Sequence, residues 1–406
     1  MIHDSAARIR IAFVVTALTL GGAEMMLWKL LSRIDRRRFD VRVIALSERT
    51  DTILERFRAI DVPHEILGMR PRLHASWKLL RLAQAFRKHE PDIVQGWLYH
   101  ANVASTLAAT LARIDAPVMW NIRGTLPSPE EKNRVSSFII RLSGLLSSTP
   151  AVIVNNSVAS AIEHERALGY PAETGLVIAN GFDTDTFKPR PEARTSVRAE
   201  LGLPPDAVVV GLVGRYHAMK DHATFIRAAA LTIESHPSIH YLLAGAQVDR
   251  DNAQLSDLIR GLGIEKNMHL LGRRHDTERL TAAVDVACSS SAYGEGFPNV
   301  IGEAMSCGVP CVVTDVGDSA RIVDDTGKVV PPRSPQAFAR ALIELVDSGS
   351  EARSVLGRAA RKRIVQNFSL DAITQRYEEL YARVYGERTT RSAVMPAIPA
   401  DGGSLK

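Results

Sequence analysis

The chain has 406 residues, of which 46% are hydrophobic and 23% charged, and a net charge of +5. That length exceeds what one core usually reaches, roughly 250–300 residues, so two domains of similar size are expected. The charge excess lacks the basic clusters of a nucleic-acid footprint, no apolar run approaches the ~18–20 residues of a membrane span, and Cys288, Cys307 and Cys311 lack the ligand spacing of a zinc site.

Buried thiols in a reducing compartment account for the cysteines. The first ten residues carry charges and run straight into a strand, which is not the pattern of a signal peptide, so a cytoplasmic location is expected. Residues 1–185 hold 23 Lys/Arg against 19 Asp/Glu, and the remainder holds 27 against 26. An excess of this size suits an anionic membrane surface or acceptor, and equally an ordinary solvated surface.

In the first half, residues 11–16, 41–46, 93–95, 118–122 and 152–154 read as buried strands. Helical patterns lie between them at 23–34, 76–89, 101–113, 130–146 and 158–168. The 76–89 helix carries Trp77, Leu79, Leu80, Leu82 and Phe86 beside Lys78, Arg81, Arg87 and Lys88, the pattern of a core-facing helix with a wet basic side or of one that touches a membrane. The second half repeats the alternation. Strands are predicted at 208–213, 241–244, 269–271, 286–289 and 310–314, with helices at 223–235, 254–262, 277–283, 300–306 and 335–346. Strands alternating with helices of this length imply βαβ units and parallel sheets, hence an α/β chain of two doubly wound domains in tandem. The boundary falls where Asp183-Thr-Asp and Pro189-Arg-Pro break the periodicity. The expected division is 1–182, a linker over 183–192, a second domain over 193–370, a final helix over 371–387, and a disordered tail over 388–406 rich in Ala, Pro, Gly and Ser.

In open α/β sheets ligands bind beyond the carboxyl ends of the strands, so the loops that follow strands carry the chemistry. After the strand ending near Ser289, Gly294-Glu-Gly-Phe-Pro leads into a helix, with Pro298 suited to its first position. Asn299 and Glu303 then stand at i, i+4 on one helical face, and Glu295 precedes the helix. A positive helix end attracts a diphosphate, two carboxylates accept hydrogen bonds from sugar hydroxyls, and the glycines admit close backbone approach. After the strand at 208–213, Arg215 and Lys220 supply two cations able to neutralise a departing diphosphate. In the first half, Gly21 and Gly22 sit in the loop after the first strand, either a tight turn or a loop approaching a ligand. His100 is a loop candidate beside Asn102, and Asn180-Gly181 reads as a turn.

These residues resemble glycosyltransferase family 4, a group of GT-B sugar transferases. Glu295-Gly-Phe-Pro-Asn-Val-Ile-Gly-Glu303 fits its Glu-x7-Glu signature, and Val213-Gly-Arg-Tyr-His-Ala-Met-Lys-Asp fits its diphosphate loop. The resemblance runs from Gly21-Gly-Ala-Glu to the final helix. It implies two Rossmann-like domains facing across a cleft and transfer with retention, with neither cofactor nor metal. It also implies that Arg215 and Lys220 hold the diphosphate and Glu303 the ribose. Glu295 and the following backbone of Gly296 and Phe297 position the donor sugar, and the helix end near Asn299 stabilises the leaving group. The loop of Gly21 and Gly22 closes over the donor, and residues 282–285 with Arg274 frame the base. The implied partners are a nucleoside-diphosphate sugar and a glycan or lipid-linked acceptor at the cytosolic membrane face, and the implied setting is polysaccharide or lipopolysaccharide biosynthesis. In one place the sequence departs from the pattern: Arg123 and Gly124 stand where many members carry a histidine, so Arg123 or His100 takes its place or the site is altered.

Two other readings share the architecture. A GT-B epimerase acting on the sugar nucleotide needs an acid/base pair at the sugar, which Glu295 alone does not supply. A non-catalytic sugar-nucleotide-binding partner would bind donor without turnover. A dinucleotide-dependent oxidoreductase is excluded because the Gly-x-Gly-x-x-Gly fingerprint is absent.

Overall fold

The β-branched runs of the first half pair into one parallel sheet and those of the second half into another. The computed structural model describes residues 8–68, 75–127 and 134–394. The first sheet comprises β1 (Ile9–Val15), β2 (Phe39–Ala45), β3 (His64–Ile66), β4 (Ile93–Trp97), β5 (Val118–Ile122), β6 (Val152–Asn155) and β7 (Gly175–Val177) in the order 3-2-1-4-5-6-7. Its helices are α1 (Gly22–Arg33), α2 (Thr52–Ala59), α3 (Ala75–His89), α4 (Tyr99–Ala112), α5 (Arg134–Leu146) and α6 (Val158–Leu168). The second sheet comprises β8 (Val209–Val213), β9 (His240–Ala244), β10 (Met268–Leu270), β11 (Val286–Ser289), β12 (Cys311–Thr314) and β13 (Gly327–Val330) in the order 10-9-8-11-12-13. Around it lie α7 (Pro191–Leu201), α8 (His222–Ser235), α9 (Ala253–Gly261), α10 (Thr277–Ala283), α11 (Asn299–Ser306), α12 (Ser319–Val323), α13 (Pro335–Asp347) and α14 (Gly349–Asn367). Both sheets thus have the doubly wound order, reversing direction between β1 and β4 and between β8 and β11.

The last helix, α15 (Leu370–Val394), packs against the first sheet. Tyr381 donates to Gln95 at 2.6 Å, and Glu378 accepts from the Asp35 backbone at 2.7 Å. Arg388 bonds the Asp92 carbonyl at 3.2 Å, so the segment expected to be disordered from residue 388 continues as helix to Val394. The rest of that segment, 395–406, lies outside the described residues, as do positions 130–133 of the fifth predicted helix.

The chain crosses between the sheets twice, near Phe182 and near Phe368, and the crossings bond each other. The Phe182 amide donates to the Phe368 carbonyl at 2.9 Å and the Leu370 amide to the Phe182 carbonyl at 2.8 Å. Arg361 fixes the following segment by donating to the carbonyls of Thr184 and Phe187, each at 3.2 Å. The Phe297 ring packs between Phe182 and Phe368, with centroids 5.9 and 5.6 Å away. Gly302 lies under this cluster, where a Cβ would stand 2.1 Å from the Phe182 ring. Gly302→Ala should therefore destabilise the protein by about 1–3 kcal/mol, typical of overpacking. Urea unfolding checks this, and wild-type stability would mean that the ring yields freely.

Several elements depart from the sequence expectation. Pro298 is the N-cap of α11, not its first residue, with φ −71° and ψ 113°. Pro191, read as part of a breaker, occupies the first turn of α7, where a missing N–H is harmless. His100 sits on the first turn of α4, not in a loop. The three cysteines are buried free thiols, and burial pushes Cys307 and Cys311 up to about 12.

Candidate active site

The carboxyl ends of the two sheets face each other across a cavity of about 400 Å3. Its first-domain wall comes from the loops after β1, β4, β5, β6 and β7, through Gly22, Glu24, Leu98, Arg123, Gly124, Asn156 and Asn180. Its second-domain wall is the loop after β11, through Gly294, Glu295, Gly296, Phe297 and Asn299. These loops include those at the reversal points of both sheets, where doubly wound folds bind ligands.

Three glycines shape the walls. Gly294 has φ +76° and abuts Met219, 2.9 Å from where a Cβ would stand. Gly296 lies against the first domain, where a Cβ would be 3.3 Å from Gly124 Cα and from Asn156 Oδ1. Gly21, the extended N-cap of α1, leaves room for Glu24, whose carboxylate would lie 2.5 Å from a Cβ there. Burial, reinforced by Asp51, raises the Glu24 carboxyl above its ordinary range.

Glu295 is buried and paired with Lys220, which reaches it from the loop after β8. Ser291 donates to the same carboxylate oxygen at 2.7 Å. The two residues assigned by sequence to diphosphate and sugar therefore meet at one point. Arg215, on the same loop as Lys220, is exposed and has no partner among the described residues. Beneath this loop His222 is buried against Tyr216, and burial lowers its imidazole to about 4, so it is neutral at pH 7.

Asn299 and Glu303 lie on successive turns of α11 as the spacing predicts. Asn299 accepts from Asn180 Nδ2 at 2.7 Å, a bond between the domains. Glu303 is half-buried near Val213, Val284 and Val300, and its side chain makes no hydrogen bond or ion pair among the described residues. Burial raises its carboxyl, partly offset by the ammonium of Lys29 on α1. The Phe297 ring faces the aromatic cluster at the crossing, so this residue offers the cavity only its backbone; its carbonyl accepts from Asn180 at 3.4 Å.

Arg123 is a wedge. It donates to Tyr377 Oη at 3.0 Å and Asn121 Oδ1 at 3.3 Å, contacts Asn180, and lies 5.5 Å over the Trp97 ring. Burial lowers its pKa, and Tyr377 opposes that shift. Gly124 beside it has open space where a Cβ would project. His100 is half-buried, lies outside the cavity wall, and has its pKa lowered by burial. Arg274 is committed to Glu200 at 2.7 Å and Asp276 at 2.9 Å, and Asp285 to Arg198 at 2.7 Å, so both act within the second domain. No group of three His, Cys, Asp or Glu side chains able to hold a metal ion occurs among the described residues.

Sequence reasoning missed Glu24, Asn156 and Asn180 as wall residues. Asn180-Gly181 was legible only as turn chemistry, and nothing local to Asn156 distinguishes it.

Residues 20–186 match the model of Glycosyltransferase Family 4, and residues 207–348 that of Glycosyl transferases group 1. A D-inositol 3-phosphate glycosyltransferase of Saccharomonospora viridis is 30% identical over 309 residues, 72% of this chain and 68% of that one. The chain spans 54% of the length of another protein of that name. The UDP-Gal:alpha-D-GlcNAc-diphosphoundecaprenol alpha-1,3-galactosyltransferase of Escherichia coli is 24% identical over 92% of this chain and 97% of that one. Among solved structures, Anabaena Alr3699/HepE in complex with UDP superposes with a TM-score of 0.80 at 25% identity, over 92% of this chain and all of that one. Matched family models over both halves, a cleft at the reversal points of two doubly wound sheets, and glycosyltransferase relatives together place the chain in family 4 of the GT-B glycosyltransferases.

Proposed function

We propose that this glycosyltransferase takes its sugar from a uridine-diphosphate sugar and passes it, with retention of anomeric configuration, to a lipid-linked glycan acceptor. The observation that carries this reading is the pairing of Lys220 with Glu295 at the cavity wall, with the exposed Arg215 on the Lys220 loop and Glu303 on the helix that follows Glu295. In this reading Arg215, Lys220 and the N-terminus of α11 face the diphosphate, and Glu303 accepts from the ribose hydroxyls. Glu295, Asn299 and the backbone of Gly296 and Phe297 orient the sugar, and the loop of Gly21 and Gly22 lies over it. Arg274 holds the base-framing loop through Asp276 and does not itself meet the base. Residues up to 182 form the acceptor side, apart from the Gly21 and Gly22 loop over the donor, and those from 193 hold the donor.

The bond from the anomeric carbon to the diphosphate oxygen breaks as the acceptor oxygen bonds that carbon. The acceptor proton passes to the departing phosphate. The two cations stabilise the charge that develops there, a role that requires no resident metal. Arg123, fixed by Tyr377 and Asn180, puts a third positive charge at the acceptor wall where the family histidine is absent. The HepE structures with UDP and with UDP-glucose support the donor class, and the diphosphoundecaprenol relative supports the acceptor class. Cell-surface polysaccharide or lipopolysaccharide assembly is the proposed setting. Incubation with a UDP-sugar and a diphosphate-lipid acceptor, followed by NMR of the new linkage, tests the reading. A linkage with the donor's configuration is expected, and an inverted one would overturn retention.

No helix among the described residues is long and apolar enough to cross a membrane; peripheral contact with the inner membrane face belongs to the same proposal on other grounds. The adjoining helices α3, α4 and α5 carry six Lys/Arg and no Asp or Glu, and they expose Trp77 (63%) and Phe138 (63%). Aromatic groups between cations suit an anionic bilayer. Binding to anionic vesicles should weaken in ~0.5 M salt as screening shortens. Partition unaffected by salt would contradict the electrostatic part.

A further inference from the structure

Asp318 follows β12 at the end of a loop that lies directly on the donor segment. Gly317 has φ +62°, and a Cβ there would come within 2.3 Å of the Glu295 carbonyl. The Asp318 amide donates to the Gly296 carbonyl at 2.9 Å. Its backbone is thereby locked to Glu295 and Gly296.

Its side chain points the other way, into the first domain. The carboxylate is 3% exposed. One oxygen accepts from the Val158 amide and the other from the Ala159 amide, each at 3.0 Å. These are the first two N–H groups of α6, which an α-helix leaves without internal partners. The helix's own cap, Ser157, takes the third, from Ser160, at 3.0 Å. Local and remote caps thus divide the donors: Ser157 satisfies one, and a carboxylate 160 residues away satisfies two. The positive end of α6 adds to the attraction. Arg321 donates to the same carboxylate at 3.1 Å.

We propose that Asp318 is a positioning residue that couples the Glu295 loop to the first domain, so that the donor sugar is held in register only while the carboxylate sits on the α6 N-terminus. The inference rests on the donor role proposed for Glu295, but its mechanical part stands apart from it. Separating the domains breaks two charge-assisted bonds and pulls on the backbone that supports Gly296. Thr125, which donates to the Gly294 carbonyl at 3.0 Å, supports the other end of the same loop.

The test uses the full chain with Asp318→Ala and Asp318→Asn. Alanine should lower kcat/KM for the UDP-sugar about 10- to 100-fold, the worth of bonds to a charged group. The Kd for UDP alone, read largely by the second domain, should stay within about threefold. Small-angle scattering without ligand should report a larger radius of gyration than wild type. Asparagine keeps one acceptor and should fall between, which also covers failure of the alanine variant to fold. The proposal is overturned if both variants keep kcat/KM and scattering at wild-type values, or if UDP binding falls in proportion with kcat/KM. Were the wild type to bind no UDP-sugar, the functional reading would fail, while the scattering comparison would still decide whether Asp318 clasps the domains.

Discussion

Replacing Lys220 with alanine should lower kcat for sugar transfer roughly 10²- to 10³-fold, the loss typical of removing one preorganised donor from a developing anion. In the ligand-free protein the Lys220 ammonium is neutralised by Glu295, and Ser291 holds that carboxylate in place. In the proposed reaction a diphosphate arriving beside Arg215 would share the ammonium with Glu295. As the bond to the sugar breaks, negative charge grows on the phosphate and draws Lys220 more strongly than before. The effect therefore belongs to the transition state, and donor KM should change much less than kcat. Steady-state kinetics of the variant provides the check. A KM rise that matches the whole loss of kcat/KM would make Lys220 a docking residue only.

Glu303→Gln should have two opposed effects. Donor affinity should fall about tenfold or more, because an ionised acceptor bonds ribose hydroxyls more strongly than an amide. Stability at pH 7 should rise. Burial raises the folded carboxyl above its ordinary value, with Lys29 offsetting only part of the shift. Such a group favours the fold when protonated, and that contribution is lost as pH climbs through the raised folded value. Neutral glutamine removes the penalty of charge burial, so the variant should melt higher than wild type at pH 7 and equally at about pH 4. Equal melting at both pH values would mean that Glu303 is solvated, and unchanged UDP affinity would remove it from the site.

Much of this was legible in the sequence because both domains are built from buried parallel strands, which read as short apolar runs. The 118–122 and 286–289 runs coincide with β5 and β11. The edge strands β3, β7 and β13 escaped because three or four residues such as His64, Glu65 and Ile66 show no periodicity. Helix α14 escaped because its surface is charged nearly all round, with Arg353 and Ile364 among its few buried side chains. The loops after β8 and β11 announced themselves through glycines, cations and carboxylates at fixed spacing. Which of those groups touch was not legible: the Lys220–Glu295 pair spans 75 residues, and Phe297 turns its ring into the crossing. Asn180 and Asp318 take their roles from the opposite domain, and no local pattern encodes that.

The cleft is proposed as a sugar-nucleotide site with catalytic power. Its most direct test is a thermal-shift panel of nucleoside-diphosphate sugars on the full chain, run alongside donor hydrolysis. UDP-sugars should raise the melting temperature, this rise should be reduced in Glu303→Gln, and slow hydrolysis should disappear in Lys220→Ala. A panel in which no nucleotide sugar shifts the melting temperature and none is hydrolysed would contradict it.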